Sequence, residues 1–198
     1  MKIEFDAERH LYRLDGAPVP AVTSILSDLF DWQAVAPDTL EHKRQIGLAV
    51  HRAIALELDD DLDRSSVEPR IEGYLEGWKR FQREKRFSCH LSECCVASKR
   101  FRYAGTLDLA GTMDAADVLV DVKCGEPHAA TSLQTAAYLN AAREMGFLSN
   151  ANRFALHLGP EGVYRLEPYA DPNDFAVFLS CLSRHNWQVW KHLMKEPT

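Results

Sequence analysis

Two short stretches in the middle of the chain carry the residues best suited to chemistry. Gly105-Thr106-Leu107-Asp108 comes first, and Asp121-Val122-Lys123 follows, with Asp121 13 positions after Asp108. Asp121 and Lys123 are two apart in an apolar, β-branched run, so on a strand their side chains leave the same face of a sheet. Asp108 on a neighbouring strand would meet them there. Two carboxylates and one ammonium would then converge, which suits the binding of a metal ion or the organisation of a reacting group.

A simpler interpretation of the same residues is a salt bridge at the exposed edge of a sheet, which would contribute little. Burial of unpaired charges is costly, and the strand around Asp121 is strongly apolar. This favours a functional role for the charges. Spacing alone leaves both interpretations open.

Two further pairs of residues have helical spacing. His51 follows Gly47 by four residues, so both lie on one face of a helix, where glycine permits close approach of another group. Gln134 and Tyr138 are also four apart, which places an amide beside a phenol. Each pair alone is also compatible with a purely structural role.

The hydrophobic periodicity predicts the elements that position these residues. Helices are predicted at about 22–30, 37–58, 67–87, 131–145 and 173–194. A hairpin is predicted from 3–5 and 10–14, and further strands at about 90–97, 102–110, 117–123, 153–158 and 163–167. This order predicts an α/β fold, in which helices flank both faces of a central mixed sheet.

The length and composition indicate one packed domain. The 198 residues are 46% hydrophobic and 26% charged, which is ordinary for a globular chain. We divide this domain into an N-terminal hairpin and short helix (1–35), a core (36–170) and a C-terminal helix (171–198). The chain has no apolar run long enough to cross a membrane and no signal-peptide pattern at its start, so we expect a cytoplasmic protein without a membrane partner.

The charge distribution limits how the chain can bind a polyanion. The net charge of −6 excludes a wholly basic surface, but the segment from Lys79 to Arg102 contains eight basic and two acidic residues. Lys99, Arg100 and Arg102 are the candidate nucleic-acid contacts within it, and Phe87, Phe101 and Tyr103 are candidates for stacking on a base. A solvated helix face and core aromatic residues are the alternative interpretation.

Taken together, four motifs resemble the RecB-like branch of the PD-(D/E)XK nuclease superfamily, over roughly residues 47–140. They are Gly47-Leu48-Ala49-Val50-His51, Gly105-Thr106-Leu107-Asp108, Asp121-Val122-Lys123 with Gly125, and Gln134-Thr135-Ala136-Ala137-Tyr138. The N-terminal phrase from His10 to Leu26 is similar to phage-encoded members. The resemblance implies the three-layer nuclease core of that superfamily.

The resemblance also implies roles for the residues of the site. Asp108 and Asp121 would bind Mg²⁺ or Mn²⁺, as one or two ions, with His51 and the backbone carbonyl of Val122 completing the ligand set. Lys123 would stand beside the attacking water. Gln134 and Tyr138 would hold the lysine or a phosphate oxygen, so that Tyr138 also contacts nucleic acid.

The expected function is that of a metal-dependent DNA nuclease, an exonuclease of a phage or prophage that acts in DNA recombination or processing. DNA ends or single strands are the expected substrates, since no sequence-reading module is evident, and a recombination protein is a possible partner. A structure-selective endonuclease and an inactive DNA-binding or assembly protein are the alternatives. The oligomeric state stays open.

Two further groups of residues bear on the metal chemistry. Glu93 precedes Asp108 on the neighbouring predicted strand and either joins the metal site or points away, because the strand register is uncertain. The five cysteines do not have the spacing that an iron–sulfur cluster of the Cas4 type requires, so we expect no cluster and reduced thiols.

Overall fold

The computed structural model describes residues 1–29 and 37–193. Its N-terminal sheet comprises β1 (Ile3–Asp6), β2 (Leu11–Leu14) and β3 (Ala17–Val19). Three helices follow: α1 (Val22–Leu26), α2 (Pro37–Leu58) and α3 (Pro69–Lys85). The remaining elements are β4 (Ser88–Ser98), β5 (Tyr103–Met113), β6 (Ala116–Lys123), α4 (Ala130–Glu144), β7 (Asn152–Leu158), β8 (Tyr164–Tyr169) and α5 (Asp174–Leu193). The α/β class predicted from the sequence is therefore confirmed.

The central sheet is mixed and has the strand order β4-β5-β6-β7-β8. Only β6 and β7 pair in parallel, and the other neighbours are antiparallel. Parallel neighbours need a crossover connection, and α4 supplies it between β6 and β7. This crossover brings Gln134 and Tyr138 over the end of β6.

Helices cover both faces of the central sheet. On one face, α1, α4 and α5 pack over the sheet, with Val22, Ala137 and Phe178 against Leu107 and Leu119. A second apolar cluster forms on the other face, where α2 and α3 pack over the sheet. It includes Val50, Ile54, Trp78, Phe81, Val120, Val122 and Leu156. The site residues of β6 therefore have helices above and below them.

The N-terminal sheet packs against β4 and β5. Tyr12 and Leu14 share a buried cluster with Ala97 and Ala104, and the N–H of Ala104 donates to the carbonyl oxygen of Pro20 at 3.0 Å. The predicted hairpin is confirmed, but the sequence analysis missed its third strand. This strand has three residues with a proline in the middle, so it shows no alternating pattern, and proline is tolerated at an edge.

Most element limits agree with the prediction to within a few residues. The short helix predicted at 22–30 ends at Leu26 and continues as a 3₁₀ turn at Ser27–Leu29, and residue 30 lies outside the described residues. The helix predicted at 67–87 ends at Lys85, because Arg86 adopts a φ of 48°. Residues 194–198 also lie outside the described part. Across the described ranges, no helix is both long and apolar enough to span a membrane.

Candidate metal centre

The candidate site begins at an interruption in the pairing of β4 with β5. Regular pairs form between Ser92 and Leu109 and between Cys94 and Leu107, but the position between them, Glu93, has a φ of 46°. This left-handed conformation is unusual for a residue within a strand. The side chain of Glu93 consequently does not follow strict alternation.

The packing on either side shows the effect of this interruption. Leu91 and Cys94 are three residues apart, yet both pack in the cluster beneath α1 and α4, as do Leu107 and Ala110 on β5. Strict period-two alternation would place such pairs on opposite faces. The alternation of side chains between the two faces of the sheet is therefore interrupted at Glu93 on β4 and at Asp108 on β5.

At the same level β5 separates from β6. Their regular pairing ends at Leu109 and Val120, so the backbone of Val122 is without a strand partner on that side. The carboxylate of Asp108 accepts a hydrogen bond from the N–H of Val122 at 2.7 Å. The Nε2 atom of His51 lies 3.1 Å from the carbonyl oxygen of Val122. Side chains thus replace the missing strand contacts, which satisfies the buried backbone groups.

His51, Glu93 and Asp108 form a compact group of potential metal ligands. One ligand atom from each lies within 4.8 Å of the other two. Nδ1 of His51 is 3.3 Å from Glu93 Oε1 and 3.7 Å from Asp108 Oδ1. Burial lowers the pKa of His51, but the charges of Asp108 and Glu93 outweigh this effect and raise it to about 9. An imidazole with two carboxylates is a donor set that could hold a divalent metal ion.

Asp121 is the third carboxylate near this group and is only 1% exposed. Its Oδ2 atom lies 2.7 Å from Nζ of Lys123, while Oδ1 is buried and has no hydrogen-bond partner among the described residues. Burial raises the pKa of Asp121 to about 6, although Lys123 opposes the shift. A buried carboxylate oxygen without a partner is costly. A cation bound at this position would remove that cost, so the donor set fits a metal.

A chain of contacts leads from Asp121 to α4. Nζ of Lys123 donates to Oε1 of Gln134 at 3.2 Å, and Nε2 of Gln134 donates to the hydroxyl of Tyr138 at 3.1 Å. Gly105 makes room for this arrangement, since a Cβ atom there would lie 2.6 Å from the ring of Tyr138. Gln134 and Tyr138, with the space that Gly105 leaves for the tyrosine ring, therefore help to position Lys123.

The structure brings together most of the residues selected from the sequence. Asp108, His51 and the backbone of Val122 meet at one point, and Lys123, Gln134 and Tyr138 form a contiguous chain beside Asp121. Asp121 itself is not part of the compact ligand group, whereas Glu93 is. The sequence left Glu93 open because alternation along β4 could not fix which way it points.

The predicted nucleic-acid contacts are not at the metal centre. Lys99, Arg100 and Arg102 lie at the β4–β5 turn, six residues of strand from Glu93 and Asp108, which corresponds to about 20 Å. Tyr138 is 3% exposed, so the structure does not support its direct contact with nucleic acid. Its burial suits a positioning role through Gln134.

The aromatic residues predicted to stack on a base are part of the core. Phe87 and Tyr103 are buried, and Phe87 packs against Trp78 and Phe81. Phe101 contacts Phe175 edge to face. Two cations of the basic segment are also paired, in the ion pairs Lys79–Glu76 and Arg80–Glu84. The stacking prediction is therefore wrong for Phe87 and Tyr103, because both side chains are packed in the core.

Gly47 lies one helical turn before His51, and a Cβ atom built there would contact nothing within 4 Å. The sequence predicts that this glycine permits close approach of another group. No protein atom of the described ranges approaches it in this way. The space in front of Gly47, one helical turn from His51, is therefore not filled by any described protein atom.

Comparisons with known proteins do not assign the chain to a family. No protein-family model matches it, and no curated protein is significantly similar to it in sequence. The case for its function consequently depends on the chemistry of the site described above.

Proposed function

We propose that the protein is a metal-dependent deoxyribonuclease with the PD-(D/E)XK nuclease fold. One observation carries the proposal: the ligand group of His51, Glu93 and Asp108 lies beside a buried carboxylate–lysine pair, Asp121 and Lys123. Hydrolysis of a phosphodiester needs an activated water and stabilisation of negative charge on phosphorus. The site offers groups for both requirements.

A divalent ion held by these residues would lower the pKa of a bound water and neutralise charge on the phosphate. The oxygen ligands suit either Mg²⁺ or Mn²⁺, and the nitrogen ligand that His51 supplies also suits Mn²⁺. His51, Asp108 and the carbonyl of Val122 are the proposed ligands, together with Glu93 and Asp121. The ligand atoms of His51, Asp108 and Val122 meet where β5 leaves β6.

Lys123 is the proposed catalytic cation. Its ammonium lies between the carboxylate of Asp121 and the amide oxygen of Gln134, so its position is fixed from both sides. There it can orient the attacking water and offset charge that develops on the scissile phosphate. Gln134 and Tyr138 act as positioning residues, because they reach the phosphate only through the lysine.

The proposed substrate is DNA, attacked at ends or in single strands by an exonuclease of phage recombination or processing. The described elements include no helix-turn-helix unit inserted beside the site. Contacts to the phosphate backbone would then supply the affinity. A recombination protein that delivers or receives the processed strand is a compatible partner.

The proposal is tested with purified protein on end-labelled linear duplex, single-stranded and closed circular DNA, in EDTA, Mg²⁺ or Mn²⁺. Asp108→Asn is the matched variant, and Asp117→Asn, on the same sheet but outside the site, is the control. We expect metal-dependent loss of linear DNA with circles spared, and no loss with Asp108→Asn.

Other outcomes of this experiment separate the alternatives. Nicked circles would identify an endonuclease of the same chemistry. DNA binding without cleavage in either metal would favour an inactive binding or assembly protein. Cleavage that persists in EDTA, or in Asp108→Asn, would contradict the proposed site.

A further inference from the structure

Three aromatic rings cluster on the N-terminal hairpin. Phe5 and Tyr12 face each other across β1 and β2 and stack with ring centroids 4.4 Å apart. The ring of His10 contacts both edge to face, at 5.5 Å and 5.7 Å. Tyr12 is buried, but Phe5 is 37% exposed. An exposed phenylalanine held in a stacked geometry is an unusual feature for a short edge strand.

The N-terminal strands pack over β4 and β5, the two strands that carry Glu93 and Asp108. The segment after β3 lies over Ala104, through a bridge from Ala21. Tyr12 on β2 lies over Thr106, since their hydroxyl groups are 2.8 Å apart. Phe5 lies on β1, which packs against β4, the strand that carries Glu93. The exposed ring thus stacks on a residue, Tyr12, that contacts β5 two residues before Asp108.

Electrostatics place Tyr12 near the same ligands independently. Burial raises the pKa of Tyr12, and the charge of Glu93 contributes to the rise. The ring of Tyr12 also influences the pKa of Tyr138, which is raised mainly by burial. Tyr12, the buried member of the aromatic cluster, therefore lies close enough to Glu93 for the two charges to interact.

We infer that Phe5, supported by Tyr12 and His10, is a stacking platform for a nucleobase of single-stranded DNA whose backbone enters the metal centre. This inference rests on the proposed function, and it specifies the form of DNA that the site accepts. A flat exposed ring binds a base by its face whatever the sequence, and such stacking requires that the base be unpaired and unstacked. Bases of an intact duplex do not meet that requirement.

The geometry also explains why the ring stays in place. Tyr12 is anchored by its hydrogen bond to Thr106, and it supports one face of Phe5. His10 has a φ of 52°, a left-handed turn conformation that turns its ring against both neighbours. A platform that is ordered before binding loses little conformational entropy on contact with a base.

The test measures binding separately from cleavage. All variants are made in an Asp121→Asn background, and the Kd is measured by anisotropy for a fluorescein-labelled oligo-dT strand and a blunt DNA hairpin. Phe5→Ala and Phe5→Leu remove the ring, Phe5→Trp retains one, and Leu11→Ala is the control. Leu11 is exposed on the neighbouring strand, next in sequence to Tyr12 and therefore on the other face of the sheet.

We expect Phe5→Ala and Phe5→Leu to weaken binding of the single strand about 10-fold, the loss of one base–aromatic stack. Phe5→Trp and Leu11→Ala should bind it as the parent does, and binding of the hairpin should not change. Thermal melting of each variant checks that the fold is intact. Phe5→Leu keeps an apolar side chain, so it reports on the ring even if Phe5→Ala loses stability.

Several results would overturn the inference. These are an unchanged Kd in Phe5→Leu, equal weakening of single strand and hairpin, no binding of single strands by the parent, or a preference for oligo-rU. A 2-aminopurine base placed along the strand should be quenched by the parent and less by Phe5→Leu. Phe5-dependent binding without nuclease activity would reject the proposed function alone, and metal-dependent cleavage without dependence on Phe5 would reject this inference alone.

Discussion

Glu93 and Asp108 stand opposite each other on adjacent antiparallel strands, at a level where the regular pairing of β4 with β5 lapses between intact pairs on both sides. Both carboxylates come within reach of the same imidazole, that of His51. Like charges so close repel each other, and a cation beside them, either the protonated imidazole of His51 or a metal ion, would offset that repulsion. Together with His51, this pair forms a ligand group that could hold a divalent metal ion.

Glu93→Gln should weaken metal binding while it leaves the fold intact. The amide has nearly the same shape but a poorer oxygen donor and no charge, so we expect at least a 10-fold weaker Kd for Mn²⁺, a scale typical of the loss of metal-site groups. Wild-type protein stripped with EDTA should gain about 2.7 kcal/mol of unfolding free energy at a Mn²⁺ concentration 100 times Kd. Melting curves with and without Mn²⁺ measure this gain.

Glu72→Gln is the control for this prediction, because Glu72 is exposed on α3. It should show the full stabilisation by Mn²⁺. If Glu93→Gln gains as much from Mn²⁺ as the wild type does, Glu93 is not a ligand.

Lys123→Ala should bind metal almost normally but cleave DNA at least about 100-fold more slowly, the scale for losing a positioned acid–base or charge-stabilising group. The reason is that Lys123 contacts Asp121 and Gln134, and its ammonium is not a metal ligand. Single-turnover cleavage rates at saturating Mn²⁺ give the comparison. Lys43→Ala, on the exposed part of α2, should cleave as the wild type does, and equal rates for Lys123→Ala would remove the lysine from the mechanism.

The two α4 residues should have graded effects on the cleavage rate. Gln134→Ala removes the acceptor that fixes Lys123 and should slow cleavage about 10-fold, whereas Tyr138→Phe removes only the hydroxyl behind Gln134 and should slow it a few-fold. Because both act by positioning, the Kd for Mn²⁺ should be unchanged. Combining Tyr138→Phe with Lys123→Ala should add nothing to the loss. An additive double variant would show that Tyr138 acts independently of the lysine.

Two glycine substitutions should change stability in opposite directions. In Gly105→Ala the new Cβ would lie 2.6 Å from the ring of Tyr138, and such overpacking costs about 1–3 kcal/mol. In Gly47→Ala the Cβ enters open space within α2, so the helix should gain about 0.5–1 kcal/mol. Urea unfolding measures both.

Cleavage by Gly47→Ala is informative as well. A more stable protein that loses activity would indicate that substrate occupies the space in front of Gly47. A destabilised Gly47→Ala would contradict the open space itself.

Hydrophobic periodicity alone predicted the central elements. The apolar run of 117–123 and the helical spacing of Ile71, Tyr74, Trp78 and Phe81 correspond to β6 and α3. The charged pair in β6 was also informative, because alternation requires Asp121 and Lys123 to share a face. Local patterns of this kind predict the fold correctly because burial of the apolar side chains stabilises the same helix or strand that the pattern indicates.

The features that the sequence did not reveal depend on interruptions and on long-range contacts. Glu93 joins the ligand group because its positive φ interrupts the alternation of side chains along β4. A periodic sequence pattern does not reveal such an interruption. Tyr12, on which Phe5 stacks, contacts Thr106 two residues before Asp108 because the hairpin docks on β5, a contact between residues 94 positions apart. The basic segment illustrates the opposite error, since its aromatic residues proved to be core.

The central claim is that a metal-assisted carboxylate site cuts DNA, and Asp121 tests it most directly. Asp121→Asn keeps the volume of a side chain that is 1% exposed, and it removes repulsion with Asp108. The measurement is the rate of Mn²⁺-dependent nucleotide release from linear DNA by the wild type and by Asp121→Asn. Equal melting temperatures of the two proteins show that the variant is folded. The account predicts release by the wild type and none by the variant. Equal release by both, or no release by the wild type with any DNA, would contradict it.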